Sequence, residues 1–274
     1  MTSAPTRSPT AGEAARAVLA RAVLPAVLLF GILVGVGLTI TGPWHDLPAE
    51  QAVNRSLAAG RTPTMDTLSN YGSLAGSTLI IAASTALAML LVWGLSRRWW
   101  LAIVPGIAVA LELAVFLGTV AIVARPRPDV SHLDQAPPTS SFPSGHTGAS
   151  AALWLSLAFL AQRIRTAWLR VGVTVVCVLI PFAVGYSRLY RGMHNPTDVV
   201  AGFLNGAVCA VLAYACLGRQ PAEPTPARSA TDVRDGPSAV DRAAARSPVD
   251  PAASAPPSRG GPTRGSPGEP QTRA

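Results

Sequence analysis

Three clusters of polar residues carry the chemistry available to this chain. Arg125-Pro126-Arg127-Pro128-Asp129 is the first, and Ser141-Phe142-Pro143-Ser144-Gly145-His146-Thr147 the second. The third opens on Tyr186-Ser187-Arg188, passes Arg191 and closes on His194-Asn195-Pro196-Thr197-Asp198. Permanently charged guanidinium groups beside two imidazoles suit phosphoryl transfer. The equatorial oxygens of a phosphate ester must be neutralised as charge redistributes, and Arg offers a planar fork that matches them. Arg127 and Arg188 are the candidates for that clamp. Pro-Ser-Gly-His opening a helix adds backbone N–H groups and a positive helix end, a natural anion site. Gly145 lets the backbone approach closely, and Ser144 can donate from its hydroxyl. One His then attacks phosphorus while the other protonates the departing oxygen. Asp198 follows His194 by four residues, so on a helical turn the two share a face and the carboxylate can orient the imidazole.

Each cluster has a plainer reading when taken singly. Arg-Pro-Arg-Pro is a sequence that halts a helix, Pro-Ser-Gly is ordinary capping sequence, and His194 with Asp198 could be a hydrogen-bonded pair or two metal ligands. Together they must be explained against their surroundings. Apolar residues make up 49% of the 274-residue chain and charged residues only 13%, about half the usual share for a soluble domain. The net charge is +8, every cation is Arg, and long stretches carry no charge at all. That pattern excludes a soluble enzyme and a nucleic-acid binder, which would carry dense basic patches. Ionisable groups are costly in such a setting, so their clustering marks function.

The elements that must position these groups are membrane helices. A bilayer core about 30 Å thick needs roughly 20 apolar residues of helix. Six stretches qualify: 22–40, 74–93, 99–123, one beginning just after His146 and ending near Gln162, 168–185 and 199–217. The expected fold is therefore all-α, a polytopic bundle of about six transmembrane helices over residues 18–217. An N-terminal arm spans 1–17. From 218 to 274 the chain turns Pro-, Ala-, Ser- and Arg-rich without an apolar face, which predicts a disordered tail. Residues 45–71 read as a mixed segment with a short amphipathic helix on the outer surface. The first span is long and lacks a clear small-x-small cleavage site before Trp44, so it reads as an uncleaved anchor. Cys177, Cys209 and Cys216 sit in apolar runs and read as small hydrophobes.

Orientation follows from the short loops. The N-terminal arm and the second-to-third and fourth-to-fifth links carry eight Arg, the opposite loops six. Four of those six lie in the two anion-binding loops and so report poorly on topology. With them set aside, both termini face the cytoplasm, and all three polar clusters share the outer face.

These motifs resemble the type 2 phosphatidic acid phosphatase superfamily. Its signature is Lys, six residues, Arg-Pro; then Pro-Ser-Gly-His; then Ser-Arg, five residues, His, three residues, Asp. The chain reads Arg127-Pro128, then Pro143-Ser144-Gly145-His146, then Ser187-Arg188, His194 and Asp198 at that spacing. With the six-span layout the resemblance covers residues 22–217. It implies that His194 is the nucleophile, Asp198 its orienter and His146 the leaving-group acid, with Arg127, Ser144, Gly145 and Arg188 binding phosphate. It further implies cleavage of lipid phosphomonoesters or diphosphates through a phosphohistidine, without a metal or other cofactor.

One position departs from that signature: Val120 stands where the family has Lys. Arg125 is the candidate to supply the lost charge, with Arg191 a second. One missing charge-assisted contact would cost about 1.5–3 kcal/mol, or one to two powers of ten in rate. Glu112, midway along the third span, reads as a buried structural carboxyl, and His132 and Asp134 are candidates to touch a headgroup. His45 reads as interfacial. The expected protein is an integral phosphatase of the cell membrane, acting outwardly on a lipid phosphate or polyprenyl diphosphate. Its partners are lipids and no nucleic acid. A lipid phosphotransferase and a non-catalytic lipid-phosphate binder or carrier are the alternatives.

Overall fold

The computed structural model describes residues 10–44, 47–136 and 138–218. His45 and the expected tail beyond 218 lie outside them. Among the described residues the chain is helical, without strands. Helix α1 (Ala11–Val18) starts at a capping box, Thr10 accepting from the Glu13 N–H and Glu13 accepting from that of Thr10. A π-turn over Leu19–Val23 carries it into α2 (Leu24–Thr41). The first span is thus one helix over Ala11–Thr41, longer than the 22–40 expected, because no residue before Ala22 stops it.

Residues 45–71, read as holding one amphipathic helix, contain α3 (Pro48–Ala59) and the greater part of α4 (Pro63–Ala75). Each starts with Pro in its first turn, where no N–H is needed. The second span, α5, then begins at Thr78 and ends at Ser96, where Arg97 adopts φ 55°. A short α6 (Trp99–Ala102) leads into α7 (Val104–Ile122). After a long loop come α8 (Gly145–Ala161), α9 (Ala167–Tyr190) and α10 (Pro196–Ala213), the last extended by a π-turn over Tyr214–Gly218.

Among the described residues five helical stretches are long and apolar enough to cross a membrane: Ala11–Thr41, Thr78–Ser96, Trp99–Ile122, Ala167–Tyr190 and Pro196–Leu217. The remaining expected span is α8, whose 17 residues rise about 25 Å. It is the central helix, packed on α7, α9 and α10. Large apolar side chains on the outer helices face away from the bundle: Leu28 of α2, Leu79 and Leu90 of α5, and Leu179 of α9 are all exposed. That inversion of the soluble pattern suits a lipid environment.

Close approach of α8 and α10 sets the centre of the bundle. A Cβ on Gly202 would overlap the Ser144 carbonyl oxygen, and one on Gly206 would overlap that of Gly148. Small residues let these backbones touch, the contact that replaces hydrophobic drive between helices in lipid. Trp100, Leu101, Val104, Ala108, Ala210, Ala213 and Leu217 fill the core at one end. The opposite end holds the C-termini of α7 and α9, the N-termini of α8 and α10, and the polar clusters. The three cysteines are buried, as expected of small hydrophobes.

Candidate active site

Backbone hydrogen bonds stitch the three polar clusters together. The Ser141 N–H donates to the Arg125 carbonyl at 2.9 Å, and the Ser144 N–H to the Asp198 carbonyl at 2.9 Å. Arg127 Nη1 donates to the Met193 carbonyl at 2.7 Å. The loops after α7 and α9 are therefore one unit at the end of the bundle, with α3 and α4 packed beside it. Asn54 of α3 donates to Asn195 Oδ1 at 2.8 Å in a buried contact. Arg61, between α3 and α4, donates to the Tyr190 carbonyl at 3.0 Å.

A cavity of about 610 Å³ opens at this junction, and His146, His194, Arg127, Arg188 and Gly145 all line it. The two imidazoles and two guanidinium groups singled out in the sequence thus share one space. Its walls continue between α5 and α7 as an apolar groove bounded by Ile81, Ala82, Val109, Leu113 and Phe116. Glu112 reaches the same wall, where its Oε1 accepts from Asn205 Nδ2 at 3.2 Å.

His194 Nδ1 lies 2.8 Å from the Ser141 carbonyl oxygen. A carbonyl only accepts, so the network assigns the proton to Nδ1 and leaves the lone pair on Nε2 for a substrate. The nearest Asp198 oxygen, Oδ2, is 3.8 Å from Nδ1, too far for a hydrogen bond. Burial pushes the His194 pKa below its ordinary value; Asp198 opposes this, and the charges of Arg188 and Arg127 reinforce it. The ring is thereby kept neutral, the form a nucleophile needs.

Asp198 is wholly buried and spends its oxygens elsewhere. Oδ2 accepts from the Asn195 N–H at 2.7 Å, closing the capping box of α10. Oδ1 accepts from Arg125 Nη1 at 2.5 Å. Arg125 also donates to Thr197 Oγ1 at 2.6 Å and, through Nη2, to Glu50 Oε2 at 2.6 Å. Burial alone would lower the Arg125 pKa, but Asp198 and Glu50 outweigh it and hold it above the ordinary value. Arg125 is not among the residues lining the cavity; its guanidinium serves the carboxylates behind the imidazole rather than the space before it.

Arg127 and Arg188 do face the cavity. Burial draws the Arg127 pKa down, partly offset by Asp198. Both Nε atoms are buried without a hydrogen-bond partner among the described residues. A buried donor left unsatisfied is costly, so these are the donors an incoming anion would satisfy. Arg188 Nη1 donates to Ser73 Oγ at 2.6 Å and to Asp134 Oδ2 at 2.7 Å. Asp134 also accepts from Arg191 Nε at 2.8 Å. Burial would raise the Asp134 carboxyl, but hydrogen bonds from Arg191 and Ser73 and the Arg188 charge hold it below the usual carboxylate range. Arg191 is fully engaged with Asp134, the Leu133 carbonyl and α4, away from the cavity.

The Ser144 hydroxyl pairs with Thr147 Oγ1 at 3.0 Å and makes no capping bond to α8. The first-turn amides of α8 are left for another acceptor. A Cβ on Gly145 would stand 2.8 Å from the Phe116 ring, so at this position the close approach is to an aromatic wall. His132 bonds locally, Nε2 lying 3.1 Å from the Pro128 carbonyl, and does not line the cavity. Among the described residues no three of His, Cys, Asp and Glu are grouped to hold a metal ion. Sequence reasoning missed Glu50 and Ser73. Neither belongs to a motif, and only the packing of α3 and α4 against the loops brings them in.

A sequence model of the PAP2 superfamily matches residues 99–222. The chain is 35% identical over 136 residues to a decaprenylphosphoryl-5-phosphoribose phosphatase of Mycolicibacterium smegmatis, covering 49% of this chain and 67% of that protein. The Mycobacterium tuberculosis protein of the same name is 32% identical over 151 residues, covering 54% and 76%. In fold, the chain is similar to a PAP2-type phosphatidylglycerolphosphate phosphatase from Bacillus subtilis, with TM-score 0.60 and 22% identity over 70% of this chain and 94% of that one. Aquifex aeolicus LpxE aligns with TM-score 0.50 and 22% identity, over 60% and 93%.

Proposed function

Because the chain belongs to the PAP2 superfamily of membrane phosphatases, we propose that it hydrolyses a lipid-linked phosphate monoester through a phosphohistidine on His194. One observation carries this reading: His146, His194, Arg127 and Arg188 line a single cavity that runs on into an apolar groove between α5 and α7. The groove suits a hydrocarbon chain lying laterally in the bilayer while its phosphate meets the two arginines. Two cavity-lining guanidinium groups match one phosphoryl group. The names of the mycobacterial relatives favour a polyprenyl-linked sugar phosphate as the substrate class.

The steps start from a neutral His194 and require His146 to bind substrate in its protonated form. His194 Nε2 gives its lone pair to phosphorus while the bond from phosphorus to the leaving oxygen breaks. His146, which must enter as the imidazolium, donates its proton to that oxygen, releasing an alcohol and leaving its own ring neutral. Charge on the equatorial oxygens is met by the free Nε donors of Arg127 and Arg188 and the first-turn amides of α8, while Ser144, wholly buried and paired with Thr147, stands behind the cavity wall. The Ser141 carbonyl holds the Nδ1 proton throughout, and Asp198 supports the positive phosphoimidazole. His146, now a base, takes a proton from water as the oxygen attacks the phosphohistidine. Inorganic phosphate leaves and both rings return to their first state. In this reading the site faces outward and both termini lie in the cytoplasm.

Purified protein in detergent should release phosphate from a polyprenyl-linked sugar phosphate with or without chelator. His194→Ala should remain folded and release none. Release abolished by chelator would return His194 and Asp198 to the role of metal ligands. No release from any lipid phosphate or diphosphate would favour a binder or carrier, and transfer of the group to an added alcohol in preference to water would favour a phosphotransferase.

A further inference from the structure

We infer that Arg125, clamped by Glu50, is a positioning residue that holds both supports of the His194 imidazole. The inference rests on His194 as the nucleophile. Two independent contacts converge on it. The Arg125 guanidinium donates to Asp198 Oδ1, fixing the carboxylate whose other oxygen lies 3.8 Å from His194 Nδ1. The Arg125 carbonyl accepts from the Ser141 N–H at 2.9 Å, and the Ser141 carbonyl is the atom 2.8 Å from His194 Nδ1. One residue therefore sets the field behind the ring through its side chain, and the tautomer of the ring through its backbone.

Glu50 completes the arrangement from a distant part of the sequence. Its Oε2 accepts from Arg125 Nη2 and from Thr197 Oγ1, and its Oε1 accepts from the Thr197 N–H at 2.6 Å. The Arg125 side chain is entirely buried between Glu50 and Asp198, themselves 9% and 0% exposed. A lone guanidinium there would be expensive, and two carboxylates without it would repel each other. The three charges therefore hold one geometry. Because Glu50 lies on α3, the register of that helix bears on the nucleophile although it contributes nothing to the cavity.

The charged and titratable groups facing His194 are Asp198 of α10, Arg188 of α9, Arg127 of the preceding loop and His146 of α8. Arg125 acts on the ring by sharing the charge of Asp198. Removing that cation gives His194 a less compensated carboxylate and raises its pKa, so the acid limb of kcat/KM moves to higher pH. Removing the Glu50 charge leaves Arg125 to Asp198 alone and moves the limb the other way.

The test is kinetic. Arg125→Met should lower kcat by about tenfold or more with KM changed by less than about twofold, and should raise the acid limb by about one pH unit. Arg125→Lys should recover part of kcat. Glu50→Gln should lower kcat less and move the limb downward, and it decides the matter if Arg125→Met fails to fold. A rise in KM with kcat and limb unmoved would make Arg125 a phosphate contact and overturn the inference. So would a loss of kcat in which neither variant moves the limb. The titration of 15N-labelled His194, identified by its loss in His194→Ala, reads the same shifts without turnover. A wild type that releases no phosphate would thus sink the phosphatase reading separately.

Discussion

The imidazole of His194 is oriented by a backbone carbonyl: Nδ1 is 2.8 Å from the oxygen of Ser141 and 3.8 Å from the nearer carboxylate oxygen of Asp198. The carboxylate supplies charge and the carbonyl supplies the tautomer. Asp198→Asn should therefore lower kcat by about 10- to 100-fold. A loss of about 10⁴-fold, as follows when the wrong tautomer is imposed on a catalytic His, would mean that the carboxylate holds the proton after all.

Burial lowers the His194 pKa from the ordinary histidine value of 6.5. On the proposed mechanism the neutral ring attacks, so the acid limb assigned to His194 in kcat/KM should fall below that value. The sign for stability is the same. A folded-state pKa below the unfolded one contributes stability above the unfolded value, lost as pH falls through the folded value. Acid inactivation and acid unfolding should approach each other, and parallel activity and melting measurements across pH would show it. A limb above 6.5 would contradict the buried, neutral His.

Asp134 occupies Arg188 and Arg191 at once, with oxygens 2.7 Å from each. If Arg188 binds phosphate as proposed, the substrate must share that donor. Asp134→Asn should lower KM a few-fold, while thermal stability falls by about 1–2 kcal/mol because a charge-assisted, partly exposed anchor is lost. An increase in KM would instead make Asp134 the group that aims Arg188.

Val120 lies one helical turn beyond Phe116, which lines the cavity, and Arg125 and Arg191 are committed to carboxylates. Position 120 is thus the place from which a third cation could reach the substrate on the same helical face. Val120→Lys should raise kcat/KM by about tenfold, the worth of one charge-assisted contact. Assays on a phosphate monoester and a diphosphate would read it, and no gain on either would mean that two arginines suffice.

Gly202 sits against the Ser144 carbonyl oxygen, which a Cβ would overlap. Gly202→Ala should destabilise by about 1–3 kcal/mol and lower turnover with it, since Ser144 must move. Gly31→Ala, with nothing within 4 Å of the added carbon, should be neutral or stabilising by about 0.5–1 kcal/mol. Thermal melts and turnover of the pair would separate helix packing from helix propensity.

Much of this was legible without coordinates. Apolar runs of bilayer length, interrupted by Arg, Pro and Gly, marked the helices, because hydrocarbon tolerates little else. Spacing placed His194 and Asp198 together and Pro-Ser-Gly-His at a helix start. Boundaries were less legible. Pro25 lies inside the continuous Ala11–Thr41 helix, directly after the π-turn over Leu19–Val23, so it does not mark the start of the first span. The segment before the second span holds two helices because Pro48 and Pro63 each start one.

Tertiary structure alone decided what each cation does. A sequence shows that Arg125 and Arg127 are two residues apart, but not that one points toward buried carboxylates and the other into a cavity. That choice depends on Glu50, 75 positions from Arg125, and on how closely α8 and α10 approach. The kinds of group suited to meet a phosphate follow from local residue chemistry. Which of them remain unpaired to do so follows from long-range packing, since every buried charge must first find its partner.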